Sequence, residues 1–410
     1  MATTPFSGAS IEEAPGSNNE PAKKLQNLNG GRTVITLIKN VRAYQNGTWN
    51  EGEILIAGDK IEAMARKIDC AFPGMQVIDA EGMRCIPGYL DQHVHITGGG
   101  GEGGFANQVP PLPLSAPVRA GVTTLVGLLG TDGTTRSVES LVARAKAFNE
   151  LGLTAFCLTG AYEFPSPTVT GSIKKDIVMI RECIGVKIAI SDHRSMNMEK
   201  RDLVWLASQA RQAGILSGKP GITHLHTGSG KAELDMLFDI VETTEIPIFN
   251  FRPTHLGGKF EAAMRWTEMG GYADFTCGNT HAETAGIVAR ALERATEGLV
   301  TMSTDGNGSF PIWNEKKEMV GIGAGSIANL HGVVKSLVLD KGLPLETAVA
   351  PCTRNVAKAL GLYPQKGCVA PGSDADLILL DDTLSIDTVV AHGKTMLRHG
   401  ALQFRANFEN

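Results

Sequence analysis

The sequence lacks the marks of several classes of protein. No run of Lys or Arg is longer than two residues, and 43 acidic residues outnumber 38 basic ones, which gives a net charge of −5. A surface for nucleic acid or another polyanion is therefore not indicated. No apolar run approaches the roughly 18 residues that a membrane-spanning helix needs, so we expect no membrane partner either.

Cysteine is also scarce. The seven cysteines are an odd number, lie far apart and include no C-x-x-C pair, a pattern that fits reduced thiols better than disulfides. Residues 1–31 carry three glutamates and no apolar segment of the kind found in secretory signals. We therefore expect a cytoplasmic protein in which residues 1–31 form a disordered tail.

What the sequence does contain is a large apolar fraction, 42% of 410 residues, enough for a large buried core. Two regions of short, alternating strands lie near the two ends of the chain, at residues 32–86 and 363–406. TVITLIKNVRAY belongs to the first region and DADLILLDDTLSIDTVVAHGKTMLRHG to the second. We predict that the two regions join in one small β-sandwich domain.

The middle of the chain, residues 87–362, alternates short apolar runs with amphipathic, helix-like stretches. The eight runs are RCIPGYLDQHVHI, TTLVGLLGT, AFCLTGAY, GVKIAIS, ITHLHTG, IPIFNFRPTHL, ADFTCG and VTMSTDGN. Eight strand–helix units predict an α/β fold, the (β/α)8 barrel. A doubly wound sheet is the alternative, but its first strand usually leads into a glycine-rich phosphate turn, whereas the glycines here follow histidines.

Polar residues interrupt the apolar runs near their carboxyl ends, where a barrel of this kind carries its chemistry. They are His93, His95, Thr131, Tyr162, Lys187, His224, His226, His255 and Asp305. His93 and His95 are two residues apart on a strand, so they point to the same side and can hold one metal ion. Taken singly, each residue could be an ordinary core histidine, buried lysine or turn aspartate. Together, four of the histidines, Lys187 and Asp305 predict a metal site; the four are His93, His95, His226 and His255.

His224, His281 and His193 have separate predictions. His224 lies one layer deeper than His226 in the same strand, and we predict that it is a core residue. His281 in NTHAET is predicted to lie in a loop or at the start of a helix. His193 follows the strand of Lys187 closely, which makes it a candidate to support the metal site from outside.

Several segments resemble the metal-dependent amidohydrolase superfamily and, within it, the isoaspartyl (β-aspartyl) dipeptidases. They are PGYLDQHVHITGGGGEGG, GVTTLVGLLGTD, LTGAY, IGVKIAISDHRS, SGKPGIT, RPTHL and STDGNGS. The resemblance implies two Zn²⁺ ions per chain, one on His93, His95 and Asp305 and the other on His226 and His255. It also implies that Lys187 bridges the two ions as a carbamate.

The same resemblance implies the reaction and the substrate. A hydroxide held by the metals would attack the isopeptide bond of a β-aspartyl dipeptide, with Asp305 moving the proton and Tyr162 binding the oxyanion. Glu102 would pair with the substrate's α-ammonium group. Gly100 and Thr131 would bind the aspartyl α-carboxylate, and Arg194 and Ser309 the far carboxylate. The family also implies a homo-oligomer.

The chain departs from this family at one position. We expect an arginine three residues after His255 to help clamp the far carboxylate, but Gly258 stands there, and Lys259 and Arg252 are the nearest cations. Two other functions stay open. One is an amidohydrolase acting on N-acyl amino acids or on cyclic ureides, as hydantoinases and dihydroorotases do, and the other is a non-catalytic scaffold. Glu102 favours the dipeptide, because only a free amino group needs an acidic partner.

Overall fold

A computed structural model describes residues 34–45, 47–314, 316 and 319–409. The predicted tail, residues 1–31, lies outside the described residues. Among those that are described, no helix combines the length and the apolar composition that crossing a bilayer requires.

The centre of the fold is a ring of eight parallel strands. They are β6 (Tyr89–Val94), β7 (Val122–Gly127), β8 (Thr154–Gly160), β9 (Cys183–Ile190), β10 (Ile222–Thr227), β11 (Phe251–Thr254), β12 (Ala273–Thr276) and β13 (Val300–Ser303). Strands β6 to β11 pair in chain order, and β12 pairs with β13. β12 lies beside β11, and a bridge from Val94 to Gly306 closes the ring. The predicted barrel is confirmed. Each of the eight apolar runs overlaps one of the eight barrel strands.

The barrel strands are buried on both faces, which explains why they read as apolar runs rather than as alternating strands. Every residue of β7, β9 and β10 is buried. Helices cover the outside of the barrel. They are Ser115–Arg119, Val138–Glu150, Ile173–Met179, Lys200–Ser217, Asp235–Thr243, Phe260–Glu268, His281–Arg294, Asn329–Leu339, Leu345–Val349 and Arg354–Ala359. His281 thus begins a helix, as predicted.

The helix Lys200–Ser217 shows how the sequence defines these outer elements. It begins with a capping box formed by Glu199 and Asp202 and ends at Gly218, whose φ of 67° is the left-handed conformation that glycine adopts easily. Leu203, Leu206, Ala207, Ala210 and Ala213 are all buried, and their three- and four-residue spacing places them on one face. That face packs against the barrel.

Strands from both ends of the chain form a second sheet. Its order is β19 (Ala401–Leu402), β18 (Lys394–Arg398), β17 (Ile386–Ala391), β16 (Leu377–Leu380), β5 (Arg84–Pro87), β1 (Ile35–Gln45), β2 (Thr48–Ala57) and β3 (Lys60–Ala65), and β4 (Gln76–Asp79) pairs with β1. The ends meet where β5 pairs antiparallel with β16. Residues of both ends share one core, including Ile38, Ile54 and Leu379. The two-layer sandwich and the domain boundaries stay predictions.

One element beyond the predicted barrel follows β13. The strands β14 (Ser309–Trp313) and β15 (Met319–Ala324) form an antiparallel hairpin. Ser309, the first residue of this hairpin, therefore stands at the carboxyl end of the barrel, on the side where Asp305 follows β13.

Candidate metal centre and substrate pocket

His93, His95 and Asp305 meet at the carboxyl end of the barrel. His93 Nε2 lies 3.1 Å and His95 Nε2 lies 3.0 Å from Asp305 Oδ1. One ligand atom from each residue lies within 4.8 Å of the other two, so the three could hold a metal ion. Asp305 has a left-handed backbone, with φ of 52°. Non-glycine residues adopt this conformation rarely, and such strain clusters at functional sites.

His226 and His255 each offer one further nitrogen. His226 Nε2 donates to Asp192 Oδ2 at 2.8 Å, while its Nδ1 is buried and has no hydrogen-bond partner among the described residues. His255 Nδ1 contacts Thr276 Oγ1 at 2.7 Å, and its buried Nε2 is likewise without a partner. A ring fixed at one nitrogen and free at the other is the usual arrangement of a metal ligand. The two ring centroids lie 4.5 Å apart, so His226 and His255 are candidates to hold a second cation.

Lys187 lies between these two groups of donors. It is fully buried on β9, and Nζ lies 3.4 Å from His93 Nε2. None of the described carboxylates forms an ion pair with it. Burial lowers the pKa of Lys187 to about 7, although the Asp305 carboxylate acts to raise it. An amine that is easily neutral is a nucleophile, which is what formation of a carbamate requires.

Two neighbouring histidines differ in their relation to the cluster. His224, predicted to be a core residue, is buried as expected, but its Nε2 also lies 3.2 Å from His93 Nδ1 and so fixes that ring. The pattern HLH on one strand carried this signal, since residues two apart share a face. The side chain of His193 is 85% exposed. Its Nδ1 nevertheless lies 3.5 Å from Asp192 Oδ1, so its support of the metal site from outside stays a prediction.

Asp192 is the supporting residue that sequence reasoning missed. Besides His226, it accepts from Arg194 Nε at 3.0 Å and Arg194 Nη2 at 3.1 Å. Burial acts to raise the pKa of Asp192, but the hydrogen bonds from His226 and Arg194 outweigh it and lower that pKa well below its usual range. Asp192 is therefore ionised. The only sequence signal was its place directly after β9, two residues before Arg194.

The predicted substrate contacts converge on Glu102. Glu102 Oε1 accepts from Thr131 Oγ1 at 3.2 Å and from Arg194 Nη1 at 3.3 Å, and Oε2 accepts from Ser309 Oγ at 2.9 Å. Burial acts to raise the pKa of Glu102, but hydrogen bonds from its own backbone, Ser309 and Thr131, with the Arg194 cation, lower it. Glu102 is an anion at neutral pH.

The glycine-rich loop that carries Glu102 is held by Arg136, another residue that sequence reasoning missed. Arg136 donates to the carbonyl oxygens of Thr97, of Gly99 at 3.0 Å and of Val109 at 2.8 Å. Gly100 has φ of 85°, and a Cβ atom there would lie 2.3 Å from a backbone oxygen. No described group accepts a hydrogen bond from the Gly100 N–H, so this donor is free to bind a ligand.

Tyr162 lines the same pocket. Its side chain is buried, and its ring lies 4.7 Å from the His226 ring and 5.4 Å from the Arg194 guanidinium. Burial raises the pKa of the Tyr162 phenol well above its usual value, with the Asp305 charge adding to the effect. The hydroxyl therefore stays protonated and can donate to a developing negative charge.

The pocket that unites these groups is small. It is lined by His95, Gly100, Glu102, Thr131, Asp132, Arg136, Tyr162, Arg194, His226, Asp305 and Ser309, among others. Its free volume is about 40 Å³, against the roughly 10 to 15 Å³ that one water molecule requires. A larger cavity of about 290 Å³ lies elsewhere, beside Trp49, Cys85 and Glu346. It contains none of the clustered histidines. We therefore choose the smaller pocket as the candidate site because of the residues that line it and not because of its volume.

The cations near Gly258 take different positions. Arg252 is buried and donates to the backbone oxygens of Phe249, Phe251 and Ala359, away from the pocket, so it cannot replace the expected arginine. Lys259 Nζ donates to the Thr227 carbonyl at 3.2 Å, beside the strand of His226. Gly258 itself is exposed, and an added Cβ would meet no atom within 4 Å.

Known proteins resemble this chain at several levels. The profile of the amidohydrolase family matches residues 84–396. Two structures of β-aspartyl dipeptidase from Fervidobacterium islandicum AW-1, one in complex with β-Asp-Leu dipeptide, are 39% and 38% identical. Each covers 92% of this chain and 100% of its own, with TM-scores of 0.85 and 0.84.

More distant proteins share less. A D-hydantoinase from a Thermus species is 18% identical over 90% of this chain and 96% of its own, with a TM-score of 0.64, a likeness that shows the fold alone. A dihydroorotase from Staphylococcus epidermidis is 38% identical over 98 residues. That match spans 20% of this chain and only 23% of the dihydroorotase.

Proposed function

Because the chain belongs to the amidohydrolase family of hydrolytic enzymes, we propose that it cleaves the isopeptide bond of β-aspartyl (isoaspartyl) dipeptides. One observation carries the proposal. Glu102 and Arg194, of opposite charge, stand side by side in a pocket that His95, His226 and Asp305 also line. A dipeptide with a free ammonium and free carboxylates matches both charges. The β-aspartyl dipeptidase that is 39% identical was crystallised with such a dipeptide.

The donor set supports two zinc ions. His93, His95 and Asp305 would hold one, and His226 Nδ1 and His255 Nε2 the other, with Lys187 between them as a carbamate. The chemistry gained from bound zinc is Lewis acidity, which lowers the pKa of water and polarises a carbonyl oxygen. Loss of metal from Lys187→Ala, partly reversed by short added carboxylates, would support the carbamate. A full complement of metal in that variant would contradict it.

The protein's own residues supply the rest of the catalysis. Asp305 is ionised, because the nearby imidazoles outweigh the effect of burial and keep its pKa well below the usual value. Its carboxylate accepts the proton of the attacking water and delivers it to the leaving amine nitrogen. The Tyr162 hydroxyl donates to the carbonyl oxygen as negative charge develops there.

The remaining residues orient the substrate. Glu102 pairs with the α-ammonium group, while the Thr131 hydroxyl and the free Gly100 N–H take the aspartyl α-carboxylate. Arg194 and Ser309 take the carboxylate of the leaving amino acid. Contacts to both ends of the dipeptide fix its scissile bond beside the cluster. Such positioning lowers the barrier to reaction. We also propose that the enzyme is a homo-oligomer, a point that light scattering would test.

A second candidate is a hydrolase of cyclic ureides. The 38% identity to dihydroorotase over 98 residues favours it. The Glu102–Arg194 pair argues against it, because a cyclic ureide has no ammonium group for Glu102.

A substrate panel separates the candidates. Metal-replete protein is assayed with β-Asp-Leu, α-Asp-Leu, N-acetyl amino acids, hydantoin and dihydroorotate, and metal is counted by mass spectrometry. We expect about two zinc ions per chain and a kcat/KM for β-Asp-Leu at least a hundredfold above the others. Faster cleavage of a cyclic ureide would overturn the proposal, and a metal-free protein with no activity would indicate a scaffold.

A further inference from the structure

In this structure the Glu102 carboxylate occupies the donors that the proposed function assigns to the substrate's carboxylates. Thr131, Ser309 and Arg194 all donate to it, at 3.2, 2.9 and 3.3 Å. We propose that Glu102 is an internal stand-in for the substrate carboxylate, which closes the pocket until a zwitterionic ligand replaces it. The inference rests on the proposed function and goes beyond it, because it gives Glu102 a role before substrate arrives.

The geometry decides which partner moves. Arg194 is held from the opposite edge by Asp192, which accepts from Nε and Nη2, and its Nη1 alone faces Glu102. Arg136 holds the glycine-rich loop at Thr97 and Gly99, but Glu102 lies beyond that point, among four glycines that all have positive φ: Gly100, Gly101, Gly103 and Gly104. Glycine allows such a chain more conformations than any other residue. A ligand that breaks the pair therefore displaces Glu102 and leaves Arg194 in place.

The size of the pocket points the same way. With Glu102 across it, the free volume is about 40 Å³, room for a few water molecules at roughly 10 to 15 Å³ each. A dipeptide cannot enter unless a lining side chain moves. Glu102 is the lining residue whose removal opens both the volume and the three donors.

Charge then determines which ligands can open the pocket. A ligand with an ammonium and a carboxylate breaks the Glu102–Arg194 pair and restores a partner to each member. A ligand with carboxylates alone binds Arg194 but leaves the Glu102 anion displaced, unpaired and close to another anion, which is unfavourable. Glu102 thus selects against anions that lack the ammonium group, because its displaced carboxylate repels them.

A simple receptor role for Glu102 makes a different prediction. If Glu102 only binds the ammonium group, its removal weakens β-Asp-Leu and leaves ligands without an ammonium group unaffected. If Glu102 also fills the carboxylate donors, its removal strengthens such ligands. N-succinyl-leucine is the matched probe, because it is β-Asp-Leu with hydrogen in place of the α-amino group.

The experiment measures Kd for N-succinyl-leucine and KM for β-Asp-Leu on metal-replete wild type, Glu102→Gln and Glu102→Ala. Leucine release is followed in parallel, and if N-succinyl-leucine is cleaved its KM takes the place of Kd. Asp132→Asn is the control, because Asp132 lines the same pocket but contacts Thr135 and Gln108 rather than Arg194. It removes one negative charge without freeing the donors.

We expect both Glu102 variants to bind N-succinyl-leucine at least tenfold more tightly than wild type and to weaken β-Asp-Leu at least tenfold. Asp132→Asn should change N-succinyl-leucine binding less than threefold. Unchanged or weaker binding of N-succinyl-leucine in both Glu102 variants would overturn the stand-in, as would an equal gain in Asp132→Asn. Failure of wild type to cleave β-Asp-Leu would count against the proposed function instead. The two outcomes are distinguishable because the Kd for N-succinyl-leucine is measured without hydrolysis of β-Asp-Leu.

Discussion

The Asp192 carboxylate lies between the His226 imidazole and the Arg194 guanidinium, 2.8 Å from His226 Nε2 and 3.0 Å from Arg194 Nε. One anion thereby orients both a candidate metal ligand and a candidate substrate contact. The hydrogen bond to Nε2 also leaves the lone pair on Nδ1, the nitrogen that is buried and unpartnered. We therefore propose that metal binding and substrate binding are coupled through Asp192, to which the proposed function gives neither role.

Asp192→Asn is expected to impair both properties. Loss of an outer partner of a metal-binding histidine commonly costs about 10- to 100-fold in metal affinity or activity. We expect a reduced zinc content on dialysis against a weak chelator, together with a raised KM for β-Asp-Leu. Met196→Ala, in the same loop and exposed, should change neither. An effect on KM with full retention of zinc would break the proposed coupling.

Tyr162→Phe tests the proposed oxyanion donor. The phenol stays protonated at working pH, because burial raises its pKa well above the usual value. Removal of one such donor costs about 10²- to 10³-fold in kcat. We expect this loss with little change in KM, measured by steady-state kinetics on β-Asp-Leu. A pure KM effect would make Tyr162 a binding residue instead.

Gly258→Arg tests the departure from the family pattern. The position is exposed and has room for a side chain, so the variant should fold. We expect wild type to prefer β-Asp-Leu over its C-terminal amide only modestly. The added guanidinium should strengthen that preference by about 1.5 to 3 kcal/mol, the worth of a charge-assisted hydrogen bond.

Lys259→Ala is the companion variant for Gly258→Arg. Lys259 is the remaining nearby cation, with Nζ on the Thr227 carbonyl. A strong preference for the free carboxylate in wild type, unchanged in Lys259→Ala, would mean that Arg194 and Ser309 suffice.

Lys366→Met tests two buried ion pairs in the segment that leads into β16. Lys366 Nζ lies 2.5 Å from Asp376 Oδ2 and 2.8 Å from Asp374 Oδ2, and all three side chains are buried. Removal of the lysine leaves two buried carboxylates short of a partner, which costs about 3 to 5 kcal/mol. We expect a clearly lower Tm at neutral pH.

The pH dependence of that loss follows from the pKa directions. Burial acts to raise the pKa of Asp374, but Lys366 and Lys60 outweigh it and lower it, whereas the two carboxylates raise the pKa of Lys366 despite its burial. The Asp374 contribution is present above about pH 4 and fades as pH falls through its lowered pKa. The Lys366 contribution is present below about pH 10 and fades above it. The Tm difference should therefore shrink on acidification, and a constant difference from pH 3 to 8 would contradict this account.

Much of the barrel could be predicted, because its strands are buried on both faces and so read as apolar runs. Convergence of His93, Lys187 and Asp305 also followed, since parallel strands place their carboxyl ends at one rim of the barrel. Their assigned roles stay predictions. These inferences needed only the positions of the apolar runs and the alternation of strands and helices along the chain.

What the sequence could not reveal depends on the direction of side chains in loops and on strand ends. Asp192 and His193 are adjacent, yet one turns into the site and the other into solvent. Arg252 lies three residues before His255, and on an extended strand that distance carries its side chain to the opposite end. Arg136 acts through carbonyl oxygens whose positions depend on the loop conformation.

The pairing of β5 with β16 has a consequence for biosynthesis. β5 leads directly into β6, the strand that carries His93, and its partner β16 follows all eight barrel strands in the chain, so it is synthesised after them. Contacts so distant along the chain form late and slow the search for the native state. The strand that carries His93 is thus secured by a segment made after all eight barrel strands, so we expect stable metal binding only once β16 has been synthesised.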